Sequence, residues 1–179
     1  MHDLGKAAVP LDILNKPGRL SDQEFTVVRQ HPRAGHDMLL EAGGAHEVLL
    51  DVVLHHHEKL DGSGYPDRLS GDAISRYAKM GAVCDVYDAV TSNRPYKAGW
   101  EPSESLRRMA EWQGHFDPLV FQAFVRSVGI YPIGSLLHME SDRLGIVIEQ
   151  HPVSLVTPTV KLFYSAKSRV QLPIEIVDL

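Results

Sequence analysis

Residues 45–66 decide the fold and read AHEVLLDVVLHHHEKLDGSGYP. Apolar residues recur at helical spacing over residues 48–53, which predicts a core helix. That helix would carry the pair His56 and His57 at its C-terminal end. Residues 61–66 have the composition of a loop, because Asp, Gly, Ser and Pro favour turns. The stretch therefore predicts imidazoles, which commonly bind metals, at the boundary between a buried helix and a loop.

The composition is that of an ordinary globular protein, with 44% apolar and 23% charged residues among 179. This length allows one domain, or one domain with a small appendage. The net charge of -5 argues against a general DNA- or RNA-binding surface, which needs a basic face. No apolar run approaches the ~18 residues of a membrane span, and no signal peptide opens the chain. The single cysteine, Cys84, cannot form an internal disulfide, so we expect a reducing cytoplasm.

The first 128 residues are typical of helices and loops, and residues 129–179 of a small β-rich module. Ser21 and Glu24 form a capping box, which predicts a short helix towards Gln30. Within residues 10–20, Asn15, Pro17 and Gly18 break regular structure. Further helices are expected over residues 33–42 after a break at Pro32, and over 75–92, 102–113 and 118–128, the last capped by Asp117. Strands are expected over residues 135–140, 144–150, 160–165 and 174–179. The fold class is therefore mainly α, a helical bundle followed by the β module.

Several imidazoles and carboxylates stand out as candidate metal ligands. Asp85 lies on a small, mostly apolar helix face, where a bare carboxylate is costly to bury. A metal ion or a histidine partner would offset that cost, and the alternatives are an exposed carboxylate or a buried salt bridge. Mixed imidazole and carboxylate ligation suits iron, manganese, zinc or nickel rather than calcium. Such a set could hold two metals, with Asp3 free to bridge them. The candidates are His2, Asp3, His31, His56, His57 and Asp85.

An ordered set of motifs from residue 2 to about residue 128 resembles the HD-GYP family of the HD phosphohydrolase superfamily. A lone His-Asp dipeptide is unspecific, but the whole set in this order is very specific. The motifs are His2-Asp3-Leu4-Gly5-Lys6, Leu14-Asn15-Lys16-Pro17-Gly18, His31-Pro32, His56-His57-Glu58, Asp61-Gly62-Ser63-Gly64-Tyr65-Pro66, Asp85-Val86-Tyr87-Asp88-Ala89, Arg94-Pro95-Tyr96-Lys97 and His115-Phe116-Asp117-Pro118. The resemblance implies an HD-domain helical bundle over residues 1–128.

The resemblance also implies the roles of individual residues. The six candidate ligands would bind two divalent transition metals, iron or manganese, or three in a full-length protein. Lys6 and Asp3 would be catalytic, with Lys6 near the scissile phosphate; the alternative for Lys6 is a solvated lysine. Tyr65, Arg94 and Lys97 would contact the nucleotide. The alternative for Tyr65 is a loop aromatic packed on the core, and the alternative for Arg94 and Lys97 is a solvated turn. Gly64 would let the loop backbone approach the ligand closely.

The activity implied is hydrolysis of cyclic di-GMP by metal-activated water, giving linear pGpG, GMP or both, in the bacterial cytoplasm. Only Met1 precedes His2, whereas the family has a further helical region there that carries metal ligands. We therefore expect a shortened metal site. We also expect the chain to form homodimers or to dock to other signalling domains. A non-catalytic module that binds cyclic di-GMP or a partner is the alternative. Another nucleotide-specific HD phosphohydrolase is disfavoured by the loop at Gly64-Tyr65-Pro66.

Overall fold

A computed structural model of the chain describes residues 1–93 and 98–179. Within these residues a helical part is followed by a small antiparallel sheet of four strands. The helical elements are a 3₁₀ helix (Leu4–Ala8), α1 (Leu11–Leu14), α2 (Asp22–Val28), α3 (His31–Ala42), α4 (Glu47–His55), a second 3₁₀ helix (Gly71–Ala73), α5 (Arg76–Thr91), α6 (Pro102–Glu111) and α7 (Pro118–Val128). The strands are β1 (Leu136–His138), β2 (Arg143–Glu149), β3 (Thr159–Ser165) and β4 (Val170–Asp178). None of the described helices is long and apolar enough to cross a membrane.

Side-chain caps begin three of the helices where the sequence predicts them. Ser21 and Glu24 form a reciprocal capping box at α2. Ser75 accepts from the backbone N–H of Ala78 at α5, and Asp117 caps α7 in the same manner. Each cap satisfies backbone donors that the first turn of a helix leaves unpaired. These three helix starts are confirmed.

One local prediction in the first 42 residues is wrong. The expected break at Pro32 does not occur, because α3 begins at His31 and places Pro32 in its first turn, where a backbone N–H would have no helical partner. The expected break of regular structure at Asn15 is confirmed, since α1 runs from Leu11 to Leu14 and Asn15 is its C-cap.

The first 3₁₀ helix packs against α3 through two glycines. A Cβ added to Gly5 would lie 1.9 Å from the His31 carbonyl oxygen and 2.4 Å from the Gly35 backbone nitrogen, so only glycine fits this contact. Helix α3 also packs on α4, and α4 on α5. This packing brings together the start of the chain, the start of α3, the end of α4 and the middle of α5.

A separate apolar cluster joins α5, α6 and α7. Val83, Met109 and Phe116 are buried at its centre. The partly buried residues around them are Val86, Tyr87, Val90, Trp112, Val120, Phe121 and Phe124. This cluster fixes α5, which carries Asp85, from the side opposite to α4.

The sheet has the order β1-β2-β3-β4 and its own small core of Val147, Val160 and Leu162. All four predicted strands form, but β4 begins at Val170 and not after Pro173. Pro173 lies in an edge strand next to a register shift between Leu162 and Tyr164 of β3. Because proline cannot donate to the ladder, an edge strand with an irregular register is where a sheet accepts it.

Candidate metal centre

The candidate ligands of the sequence converge into two groups that share Asp3. The first contains Asp3, His31, His56 and His57, and the second contains His2, Asp3 and Asp85. Within each group one potential ligand atom per residue lies within 4.8 Å of every other. The first 3₁₀ helix, α3, the end of α4 and α5 therefore bring all six candidates to one place.

His31 and His56 are held with their Nε2 atoms towards the centre. Both residues are 1% exposed. His31 Nδ1 lies 2.7 Å from the Val28 carbonyl oxygen, and His56 Nδ1 lies 2.9 Å from the Val53 carbonyl oxygen. A carbonyl oxygen only accepts, so each ring carries its proton on Nδ1 and leaves an Nε2 lone pair free. Backbone carbonyls orient metal-binding histidines in this manner.

The two Nε2 atoms face each other 3.4 Å apart. A hydrogen bond between them would require a second proton on one ring. Burial opposes that charge and, with the neighbouring imidazoles, lowers the pKa of His56 to about 4. With both ring protons on Nδ1, the two Nε2 lone pairs face each other, and a cation is the species that suits the space between them.

Asp3 adds a third acceptor to the same place. Its Oδ1 lies 3.3 Å from His31 Nε2 and 3.9 Å from His56 Nε2. This oxygen is buried, and it accepts no hydrogen bond within residues 1–93 and 98–179. Burial raises the pKa of Asp3, but the hydrogen bond from Lys6 and the positive charge of Lys6 lower it, and the net effect holds the pKa well below its usual range. An ionised, unsatisfied carboxylate oxygen beside neutral imidazoles fits a divalent metal ion.

His57 completes the first group. Burial, followed by the nearby His56 and His31, holds the pKa of His57 far below its ordinary value. Metal ligation needs a neutral imidazole. His57 therefore has the protonation state that a ligand requires at neutral pH.

The second group is more open. His2 Nε2 lies 3.3 Å from Asp85 Oδ1 and 3.5 Å from Asp3 Oδ2. Burial raises the pKa of Asp85, although His2 opposes the shift. The small helix face around Asp85 packs closely, since Ala78 is fully buried and a Cβ at Gly81 would lie 3.0 Å from Val52 Cγ1. The expectation of a closely packed face around this carboxylate is confirmed.

Lys6 contacts the candidate centre directly. Its Nζ lies 2.5 Å from Asp3 Oδ2, the oxygen that does not face His31. Lys6 is held by the same 3₁₀ helix that positions Asp3, and its side chain is 40% exposed. The ammonium group therefore stands at the open side of the centre.

The loop after α4 places Tyr65 against the centre and packs Gly64 beneath it. The Tyr65 ring stacks on the His57 ring with 4.7 Å between centroids. Gly64 is buried, and a Cβ there would lie 2.5 Å from Glu58 Cα and 2.6 Å from the His57 carbonyl oxygen. This close approach requires glycine. Gly64 thus lets the loop lie flat on residues 57–59, and its expected contact with a substrate stays a prediction.

Two of the expected substrate-binding residues, Arg94 and Lys97, lie outside the described residues. Their assignment as nucleotide contacts stays a prediction. The loop and the candidate metal ligands are the parts of the expected site that the structure describes.

Sequence reasoning missed the residues that fasten the loop. Glu58 is 2% exposed and accepts from the backbone N–H groups of Asp67 and Leu69. His55 has no contact with the metal groups: its Nδ1 lies 2.8 Å from Asp51 Oδ1, and its Nε2 lies 3.2 Å from Asp67 Oδ2. The only sequence signal for either residue is its position beside the histidine pair.

The HD domain family model matches residues 1–120. The chain is 60% identical over 179 residues to a Pseudomonas aeruginosa protein named cyclic di-GMP phosphodiesterase, covering 100% of this chain and 43% of that protein. It is 40% identical over 121 residues to a Vibrio cholerae protein named 3'3'-cGAMP-specific phosphodiesterase 2, covering 66% of this chain and 23% of that protein. The chain thus spans less than half the length of either relative.

Among solved structures, an HDG"Y"P protein from Bdellovibrio bacteriovorus matches with a TM-score of 0.54 and 20% identity. The match covers 68% of this chain and 38% of that one, and at this identity it shows the fold alone. The family match over residues 1–120 and the identities of the curated relatives carry the assignment. The chain belongs to the HD domain family.

Proposed function

We propose that this chain carries a metal-dependent phosphodiesterase site that hydrolyses cyclic di-GMP to linear pGpG, GMP or both. The observation that carries the proposal is the convergence of acceptor atoms on Asp3, since His31 Nε2, His56 Nε2 and Asp3 Oδ1 meet without a donor between them. The name of the 60% identical relative supports the substrate. A 3'3'-cyclic GMP–AMP dinucleotide is a second candidate, which the name of the 40% identical relative favours.

In this proposal the chain holds two divalent metals, iron or manganese. Asp3, His31, His56 and His57 would hold one ion, while His2, Asp3 and Asp85 would hold the other. Bound divalent ions supply Lewis acidity for a phosphate and a water of lowered pKa. The two groups share Asp3, which supports the expectation that this carboxylate bridges.

Lys6 and Tyr65 would act on the phosphate and the nucleotide. The Lys6 ammonium has three donors, so its bond to Asp3 Oδ2 leaves two for phosphate oxygens or for the leaving oxygen. Burial raises the pKa of Tyr65, which keeps its hydroxyl protonated and able to donate. We propose that Gly64, Arg94 and Lys97 complete the substrate contacts.

We further infer that residues 1–128 form a mainly α HD-domain bundle and residues 129–179 a separate β module. The helical and strand bounds support this division. We also propose action in the bacterial cytoplasm, and either homodimer formation or docking to another signalling domain. The single cysteine and the bacterial relatives support the location.

The proposal is tested by metal analysis and a turnover assay on the same preparations. The chain, its His56→Ala variant and a His138→Ala control are loaded anaerobically with iron or manganese. His138 is a matched control because it lies on β1, its Nε2 is 3.2 Å from Asp142 Oδ1, and it belongs to neither metal group. We expect about two metals per chain and linear product from the parent and the control, with metal and product both lost in His56→Ala.

Full metal content in His56→Ala would contradict the ligand assignment. Binding of cyclic di-GMP without product by the loaded parent would favour the non-catalytic alternative. Parallel assays with 3'3'-cyclic GMP–AMP decide between the substrates, since the preferred one has the larger kcat/KM.

A further inference from the structure

An aromatic and cationic cluster adjoins the candidate centre, and two of its three residues have no role in the site described so far. It consists of Phe25 from α2, Arg29 at the C-cap of α2 and Tyr65 from the loop, and is called the α2 cluster below. The guanidinium carbon of Arg29 lies 4.6 Å from the Phe25 ring centroid and 5.4 Å from the Tyr65 ring centroid. Both distances are within the range of a cation–π contact.

The α2 cluster lies one aromatic ring away from the metal-binding histidines. The Tyr65 centroid is 4.7 Å from that of His57 and 6.5 Å from that of His31. Phe25 meets Tyr65 edge to face at 6.4 Å. Arg29 is the C-cap of α2 and comes two residues before His31, so the backbone also ties it to the centre.

Arg29 keeps its charge available for a ligand. It is exposed, and among residues 1–93 and 98–179 no carboxylate pairs with it. By contrast, the neighbouring Arg33 is paired with Asp67 at 2.5 Å. The rings of Phe25 and Tyr65 hold the Arg29 guanidinium without using its N–H donors. Phe25 is 39% exposed, which leaves ring surface free beside this cation.

We propose that the α2 cluster binds the half of the cyclic dinucleotide that is not being cleaved. A cyclic dinucleotide has two phosphates and two bases, so one phosphate at the centre leaves a second phosphate and its base to be bound. Arg29 binds that second phosphate through paired hydrogen bonds, for which a guanidinium is well shaped. Phe25 provides ring surface for a purine, because base–aromatic stacking is favourable for every base. This inference rests on the proposed function, and it adds the residues that grip the far half of the substrate.

The test removes the Arg29 charge in one variant and replaces the guanidinium with an ammonium in the other. Arg29→Met and Arg29→Lys are compared with Arg126→Met, which removes an exposed arginine of α7 that has no role in the site. Metal-loaded proteins are assayed for kcat and KM with cyclic di-GMP. Equilibrium binding is measured with its bis-phosphorothioate analogue, which resists hydrolysis.

For Arg29→Met we expect the KM and the analogue Kd to rise about tenfold, as loss of a charge-assisted hydrogen bond predicts. The kcat changes by less than about twofold and the metal content is unchanged, because no ligand to the metals is altered. Arg29→Lys gives intermediate values, Phe25→Leu raises the Kd about threefold, and Arg126→Met matches the parent.

An Arg29→Met variant with parental KM and Kd overturns the inference while leaving the proposed function intact. A parent that binds the analogue in an Arg29-dependent manner but yields no product supports the inference and removes the proposed activity. A parent that neither binds nor hydrolyses cyclic di-GMP overturns both.

Discussion

Glu58 gives the sharpest test of how the loop after α4 is fixed. Its carboxylate accepts from the Asp67 N–H at 2.7 Å and from the Leu69 N–H at 3.0 Å, and the residue is 2% exposed. In Glu58→Gln one acceptor oxygen remains, but the amide NH₂ faces a backbone N–H. One charge-assisted bond becomes neutral, and the other is replaced by two donors in contact.

The magnitude follows from these two changes. A hydrogen bond to a charged group stabilises by about 1.5–3 kcal/mol and a neutral one by about 0.5–1.5 kcal/mol. Weakening one bond costs about 1 kcal/mol, and losing the other with its donor left unpaired costs about 2 kcal/mol. We therefore expect Glu58→Gln to lower the free energy of unfolding by about 3 kcal/mol, measured by urea denaturation with metal removed.

The matched control is Glu41→Gln, at an exposed position in α3, which we expect to change the free energy of unfolding by less than about 0.5 kcal/mol. Because the Glu58 loop carries Tyr65, the variant should also raise the KM for cyclic di-GMP at unchanged metal content. If Glu58→Gln is as stable as the control, the two backbone hydrogen bonds do not hold the loop.

Three further predictions concern the centre itself. Gly5→Ala places a Cβ 1.9 Å from the His31 carbonyl oxygen, so the first 3₁₀ helix must move. We expect the variant to bind less metal in elemental analysis. A metal content equal to that of the parent would refute the contact. In metal-free protein the pKa of His56 is about 4 when folded against 6.5 otherwise, so the unfolded chain binds more protons between these values. His56 alone should then lower the free energy of unfolding by about 3 kcal/mol between about pH 6.5 and pH 4, and His57 adds a fall of the same sign. Urea titrations at several pH values should show the fall, and it should be smaller in His56→Gln. Asp85→Asn should bind about one metal fewer per chain and should no longer hydrolyse cyclic di-GMP. With a chelator present its free energy of unfolding should stay the same or rise, because burial raises the pKa of Asp85 and so disfavours its charge. A large loss of stability without metal would contradict this.

Helix starts could be predicted because their causes are local. Ser21, Ser75 and Asp117 each satisfy the backbone of the turn that follows them, so sequence alone carries the signal. The start of β4 could not, because its pairing with β3 across a register shift decides that Pro173 lies inside a strand. The partners of β4 lie on another strand, so the sequence of β4 itself carries no signal of that pairing.

In the candidate site, too, some residues could be predicted from the sequence and others could not. The residues that meet at Asp3 were found through family motifs, and the small face around Asp85 indicated that its carboxylate would be buried. Glu58 belongs to one of these motifs but its role in the loop gave no signal, and Arg29 gave none, because each role is defined by what the residue contacts. The groups that Glu58 binds lie nine and eleven residues away, and the Arg29 guanidinium lies over Tyr65, which belongs to a loop beyond α4.

Asp3 connects folding to the chemistry proposed for the site. Its Oδ2 bonds Lys6 within the same 3₁₀ helix, whereas its Oδ1 faces His31 and His56 from two other helices and receives no donor from the described residues. Without a cation, the packing of Gly5 on α3 therefore brings three acceptors together at an electrostatic cost. A bound divalent ion would remove that cost, and its bonds to the three acceptors would cross-link the start of the chain, α3 and α4. The close glycine contact thus holds these acceptors where a divalent ion would bind.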